Sequence, residues 1–592
     1  MCGIAGIMRT SDAQAKESVL QKLGDALAHR GPDGRGAYQA DRVAMVQTRL
    51  AIIDLATGDQ PLYGPEHAAL IGNGEIYNYI ELRQAIGEDR FSTRSDCEPP
   101  LHLYAADGLS FADRLRGMYA LAIHDRSSGR LVLSRDPFGI KPLYYIEHRD
   151  HFAFASEPQA LLAAGLAERT EEPVARAELL QMQFSTGANT PFHGIKRLLP
   201  GETVIVAGGR ILERTRRTVL PTDGQRPQGE AEAVAALDRV LMDSVLVHQR
   251  SDVPYGMFLS GGTDSSALLA VMARLNERPV RAYTAGFRGA EVHDERERAR
   301  RVARAAGAEH VEVEIGEEDV WRTLPRIAAA MDDPVADYAV IPTYLLAERA
   351  RQDVKVILCG EGGDELFAGY GRYRSAVRPW FWGGRGMRVK GMFDDLDVLR
   401  EQPLGWRDGM DAAETQAAGH DKLSRLQVAQ MIDCTDWLPN DLLTKIDRCL
   451  MAHGVEGRVP LLDPVVAGFA FSLPDRLKVH RRLGKWLLRK WLAKAMPEAD
   501  AFGRKRGFTV PVAQWLRGQG TTLGPLVAGQ PGVAALCHRD QVVRLFGSDD
   551  KRHGFAAWTL LFYALWHQRH IVGDDAGDAD TFAVLDAARA DR

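Results

Sequence analysis

Apolar and polar positions along this chain follow two different rhythms. Up to about residue 205, short apolar runs bounded by turn residues recur at 43–46, 69–71, 119–124, 130–134, 143–146 and 152–155. Each is too short for a helix and rich in strand formers, so each predicts a β-strand. Three stretches in the same region, 16–28, 79–87 and 100–108, space their apolar residues by three and four and predict helices. Many strands and few helices imply packed sheets in layers. Residues 213–232 are charged, weakly periodic and punctuated by Pro221, Gly224, Pro227 and Gly229, as a linker would be. Beyond them, apolar runs at 253–259, 282–287 and 354–358 alternate with helical periodicity from 265 and across 295–306. Strands alternating with helices predict a parallel sheet covered on both faces. After about residue 370 the pattern is mostly helical. The expectation is an α/β protein divided into 1–212, a linker 213–232, and 233–592.

Composition narrows the function classes. The 592 residues are 45% apolar and 26% charged, which suits several globular cores. A formal net charge of -5 gives no basic footprint, so neither nucleic acid nor an anionic membrane surface is expected as a partner. The longest apolar stretch, 555–566, is well below the ~20 residues that span a bilayer, and no signal-type apolar segment opens the chain. Cys2, Cys97, Cys359, Cys434, Cys449 and Cys537 form no C-x-x-C pair and have no histidine at ligand spacing. Free thiols in a reducing cytoplasm fit that pattern better than a zinc site or a disulfide framework.

Candidate chemistry lies in two glycine-rich loops and at the N-terminus. Ser260-Gly261-Gly262-Thr263-Asp264-Ser265-Ser266 follows an apolar run and opens an apolar helix. Its glycines let backbone N–H groups turn toward an anion, its hydroxyls add donors, and the helix N-terminus adds partial positive charge. The loop lacks the lysine of GxxxxGK[ST] and is not GxGxxG, which weakens the Walker and dinucleotide readings. Asp264 beside phosphates is repulsive unless a cation lies between them, so it points to Mg²⁺ on a pyrophosphate. A Ser/Gly-rich helix cap is the alternative. The second loop, Cys359-Gly360-Glu361-Gly362-Gly363-Asp364-Glu365, also follows an apolar run. Asp364 could supply a second metal contact, and Glu361 could take a proton from a nitrogen nucleophile. Cys2 would be N-terminal once Met1 is removed, and its α-amine, with a reference pKa near ~7.7–8.0, could then accept the thiol proton. A small buried residue beside Gly3 is the plainer reading.

The blocks Met1-Cys2-Gly3-Ile4, His29-Arg30-Gly31-Pro32-Asp33-Gly34, Arg49-Leu50-Ala51-Ile52-Ile53-Asp54, Asn73-Gly74-Glu75-Ile76-Tyr77-Asn78, Ser95-Asp96 and Arg135-Asp136-Pro137-Phe138-Gly139 stand in order ahead of the two loops. Lys445-Ile446-Asp447-Arg448, Gly454-Val455-Glu456-Gly457-Arg458-Val459-Pro460 and Arg504-Lys505-Arg506-Gly507-Phe508 follow them. Together they resemble the glutamine-hydrolysing asparagine synthetases of the large bacterial type along nearly the whole chain. The resemblance implies an N-terminal-nucleophile αββα glutaminase followed by an adenine-nucleotide hydrolase-like ATP-pyrophosphatase unit with a mostly helical C-terminal part. It implies that Cys2 attacks glutamine, with Asn73 and the N–H of Gly74 as the oxyanion hole. Arg49, Leu50, Ile53, Glu75 and Asp96 would complete the glutamine pocket. ATP would meet Leu259, the 260–266 loop with Ser260, Gly261, Gly262, Asp264, Ser265 and Ser266, and also Ala285, Cys359 and Gly360. Mg²⁺ would sit on Asp264 and Asp364, Lys505 would neutralise phosphate charge, and Glu361 would deprotonate the nucleophile. Glutamine, aspartate and ATP are the implied substrates, and a homodimer is the family's usual arrangement.

Asp333, Tyr338 and Cys359 depart from the family's usual residues. Asp333 and Tyr338, with Asp337, are expected to bear on which acceptor is bound. The rival reading is the same architecture amidating another carboxylate, on a peptide or an exopolysaccharide precursor. An inactive scaffold that kept the fold is the other alternative.

Overall fold

The computed structural model describes residues 2–11, 16–289, 294–378, 381, 387–503 and 510–590. Among the described residues twelve strands precede residue 217. They are β1 (Cys2–Arg9), β2 (Gly34–Ala40), β3 (Val43–Arg49), β4 (Leu62–Tyr63), β5 (Ala69–Ile76) and β6 (Gly117–Asp125). After them come β7 (Arg130–Arg135), β8 (Tyr144–His148), β9 (His151–Ala155), β10 (Lys196–Arg197), β11 (Glu202–Ala207) and β12 (Arg210–Arg216). They form two antiparallel six-stranded sheets, ordered β10-β8-β9-β1-β3-β2 and β12-β11-β7-β6-β5-β4. The sheets enclose a shared core that includes Ile4, Met45, Ile71, Leu133 and Phe154. The helix Glu17–Ala26 packs outside β1 and β3, and Pro99–Asp107 contributes Leu101 to the apolar layer over β5 and β6, which makes an αββα sandwich.

Several strands run further than their apolar signal. β3 continues through Gln47, Thr48 and Arg49, and β5 through Asn73, Gly74 and Glu75, and all of these are buried. Polar residues truncate the sequence pattern because they line the site rather than the core. Asn73-Gly74 therefore lies inside a strand, paired with Ala120 and Tyr119, and not in a turn. A Cβ on Gly74 would stand 2.1 Å from the Met118 carbonyl oxygen, so only glycine allows this approach of β5 to β6.

The second unit carries a parallel sheet of β13 (Tyr255–Phe258), β14 (Arg281–Phe287), β15 (Glu309–Ile315), β16 (Val356–Leu358) and β17 (Glu456–Arg458), ordered β15-β14-β13-β16-β17. The chain winds one way from β13 to β14 and β15 and the other way to β16 and β17. The carboxyl ends of β13 and β16 therefore border a crevice at a topological switch point, where α/β sheets bind ligands. The segment between β12 and the helix Glu230–His248 is held on the second unit, with Arg226 N–H donating to Ser472 O at 2.8 Å. Among the described residues no helix is long and apolar enough to cross a membrane.

Candidate functional site

The first site is built where β1, β3 and β5 meet. Antiparallel register sets Cys2 opposite Arg49, and the Cys2 backbone nitrogen donates to Asn73 Oδ1 at 3.2 Å. Burial raises the pKa of the Cys2 thiol, so it rests protonated, while the backbone N–H of Leu50 and the Arg49 cation oppose that shift. Asn73 is fully buried, and its Nδ2 has no acceptor among the described residues. A buried amide donor left unmatched costs stability unless something else accepts from it, and here it stands beside Cys2.

Glu75 and Asp96 supply the negative side of this pocket. Burial raises both pKa values, Asp96 to about 6, although the Ile76 N–H donates to Asp96 Oδ2 at 2.8 Å. Glu75 meets Arg458 from β17 at 3.3 Å, so the pocket touches the second unit directly. The Arg49 guanidinium is wrapped by the loop that follows it, donating to Asp54 O at 2.5 Å and Ile53 O at 3.4 Å. Its other nitrogen donates to Asp59 Oδ1 at 2.7 Å, and Asp59 is 81% exposed. The structure thus brings Cys2, Arg49, Leu50, Ile53, Asn73, Gly74, Glu75 and Asp96 together.

The second site is a cavity of about 350 Å³ at the ends of β13 and β16. Ser260, Gly262, Asp264 and Ser265 form one wall, and Cys359, Gly360, Glu361 and Asp364 the other. Gly261 has φ 69°, which admits glycine readily, and a Cβ there would stand 2.9 Å from the Ala299 nitrogen. Leu259, Ser266 and Ala285 are buried and are not among the residues lining the cavity. Burial raises the pKa of Glu361, with Lys445 opposing. Glu365 is pushed up to about 8 by burial and by Asp364, while Tyr370 donates to it at 2.7 Å.

Lys485, which the sequence reading missed, inserts its ammonium between Asp264 and Asp364, bonding the first and lying 2.8 Å from the second. No local signal marks it, since it is one basic residue in Arg481-Arg482-Leu483-Gly484-Lys485 and its partner Asp264 lies 221 residues upstream. Two acids converging on one cation also fit the divalent metal expected there. Lys505 belongs to 504–509 and lies outside the described residues.

Of the residues expected to face the acceptor, Asp333 does not. It is buried in the seam between the units, where Arg197 grips it at 2.6 and 2.7 Å and Tyr144 donates at 2.7 Å. The pair with Arg197 outweighs burial and lowers the pKa of Asp333, so it acts as an interface anion. Tyr338 stacks on Phe555 with ring centres 5.6 Å apart. Asp337 accepts from Lys445 at 2.6 Å, and Lys445 lines the cavity.

Comparison with known proteins agrees with two units. The model of the Asparagine synthase family matches residues 236–568, and that of a Glutamine amidotransferase domain matches residues 1–216. The chain is 32% identical to asparagine synthetase [glutamine-hydrolyzing] 1 of Bacillus subtilis, with 96% of this chain and 97% of that protein covered. It is 27% identical to asparagine synthetase B [glutamine-hydrolyzing] of Escherichia coli, with 86% and 82% covered.

Proposed function

This chain belongs to the asparagine synthase family, and on that premise we propose that it makes asparagine from aspartate, glutamine and ATP by passing ammonia from the first site to the second. The observation that carries this reading is β17. Its Arg458 meets Glu75 of the glutamine pocket, the carbonyl of Gly457 accepts from Lys141 of the first unit at 3.3 Å, and its neighbour β16 runs into the Cys359–Glu361 wall of the second cavity.

In the first site the α-amine of residue 2, free after Met1 is removed, takes the thiol proton, and the thiolate attacks the carboxamide of glutamine. Asn73 Nδ2 and the Gly74 N–H hold the oxyanion, Arg49 holds the α-carboxylate, and Glu75 with Asp96 holds the α-ammonium. Ammonia leaves, and water releases glutamate from the thioester. In the second site the β-carboxylate of aspartate attacks ATP, giving β-aspartyl-AMP and pyrophosphate. The 260–266 loop holds the pyrophosphate through N–H and hydroxyl donors. Asp264 and Asp364 would hold Mg²⁺, which when bound offsets phosphate charge, with Lys485 released to a phosphate oxygen and Lys505 adding charge. Ammonia attacks the acyl carbon of β-aspartyl-AMP, Glu361 takes a proton from the attacking nitrogen, and the acyl–phosphate bond breaks to release AMP and asparagine. A route shielded from water would keep ammonia unprotonated between the sites, and the proposal places the enzyme in the cytoplasm as a homodimer.

The test is pyrophosphate release and product identity with glutamine and ATP. The reading predicts asparagine and an aspartate requirement. Pyrophosphate release indifferent to aspartate would mean another carboxylate acceptor, which the removal of Asp333 from the acceptor side does nothing to favour.

A further inference from the structure

Lys445-Ile446-Asp447-Arg448 has no complete role in the reaction above. The block lies on the buried helix Thr444–Met451 of the second unit, which presents Lys445 to the adenylating cavity and Asp447 to the first unit. Asp447 receives Arg30 from two nitrogens, Nη1 at 2.8 Å and Nη2 at 3.0 Å. The same guanidinium is fully buried, and its Nε donates to the carbonyl oxygen of Cys2 at 3.2 Å. Of this guanidinium Glu157 takes only Nη1, at 2.7 Å, its other donors being His29 and Gln159.

We infer that Asp447, although part of the synthetase unit, is a positioning residue for the glutaminase nucleophile. A guanidinium is planar and rigid, so a carboxylate gripping both of its terminal nitrogens fixes where Nε points. Here Nε points at the peptide carbonyl that follows the nucleophilic side chain. Glu157 makes a one-point contact and leaves the plane free to turn. The helix that lines the ATP cavity therefore sets the position of Cys2, and the second unit completes the first.

Both arginines that meet Asp447 have a second carboxylate partner. Without Asp447, Arg30 keeps Glu157 at 2.7 Å, and Arg448, the other arginine on Asp447, keeps Asp332 at 2.7 Å. The inference rests on Cys2 being the nucleophile, and the test separates the two. Glutamine hydrolysis and ammonia-dependent asparagine formation are measured on the full-length chain and on D447N, D447E and C2A. In D447N, kcat for glutamine hydrolysis is expected to fall ~10- to 100-fold, with glutamine KM and ammonia-dependent synthesis each within about two-fold. D447E, which restores a carboxylate, is expected to recover part of the loss. Wild-type kcat in D447N, or an equal loss of both activities, overturns the inference. Undiminished hydrolysis by C2A overturns the nucleophile reading itself.

Discussion

At the scale of single residues, Asn73 makes the most pointed statement in the molecule. Its Oδ1 is engaged by the Cys2 nitrogen, while its buried Nδ2 lacks an acceptor among the described residues. If that donor serves the oxyanion, N73A loses ~2.7–4 kcal/mol of transition-state stabilisation, a drop in glutaminase kcat of about 10²–10³. Ammonia-dependent synthesis should be spared, and a loss confined to KM would contradict the assignment. Asp59 makes the opposite kind of statement, because its carboxylate already occupies a donor of Arg49 that the substrate carboxylate would need under the proposed role of Arg49. Arg49 is buried and only Asp59 is exposed, so the pair can open on the solvent side, and D59N should lower the glutamine KM by roughly two- to five-fold at constant kcat. An unchanged KM would mean that glutamine does not compete for Arg49. Asp96 adds a pH dependence. With its pKa raised to about 6 by burial, it is neutral below that pH and charged above it. The glutamine KM should therefore rise as pH falls through about 6, and D96N should flatten that rise while weakening binding at neutral pH.

At the scale of elements, the sequence pattern marked strands by their cores and lost them at their sites. The runs at 43–46 and 69–71 grew into β3 and β5 once Gln47–Arg49 and Asn73–Glu75 took buried polar positions. β17 left no apolar trace, since Glu-Gly-Arg is held by an internal ion pair of Glu456 with Arg458 at 2.5 Å. β15 alternates apolar and charged residues at an exposed sheet edge, where the periodicity is real but shallow. The position of the glycine-rich loops at the ends of β13 and β16 was legible because glycine spacing reveals where the backbone turns tightly. That gives a test: G261V puts a branched side chain at φ 69° against Ala299, and should cut pyrophosphate release by at least ~10-fold while glutaminase activity stays within about two-fold. Lys485 and Arg30 were not legible as site residues, because only the folded chain brings them to Asp264 and to Cys2.

At the scale of the whole molecule, the units are joined by a shared apolar core, with Phe192 against Trp566, and by buried charge. Arg30 with Asp447, Arg197 with Asp333, and Arg458 with Glu75 all cross the seam. Burying such pairs adds little net stability, but removing one partner is costly, so the seam resists small displacements. Its position between Cys2 and the cavity at the ends of β13 and β16 is what the proposed shielded transfer of ammonia requires. The decisive measurement supplies amide-¹⁵N glutamine, aspartate and ATP together with excess unlabelled ammonium, and compares the isotope content of asparagine with that of ammonia in solution. Enrichment of asparagine well above the bulk is the predicted result. Asparagine carrying the same isotope ratio as the bulk would show that the two sites do not work as one.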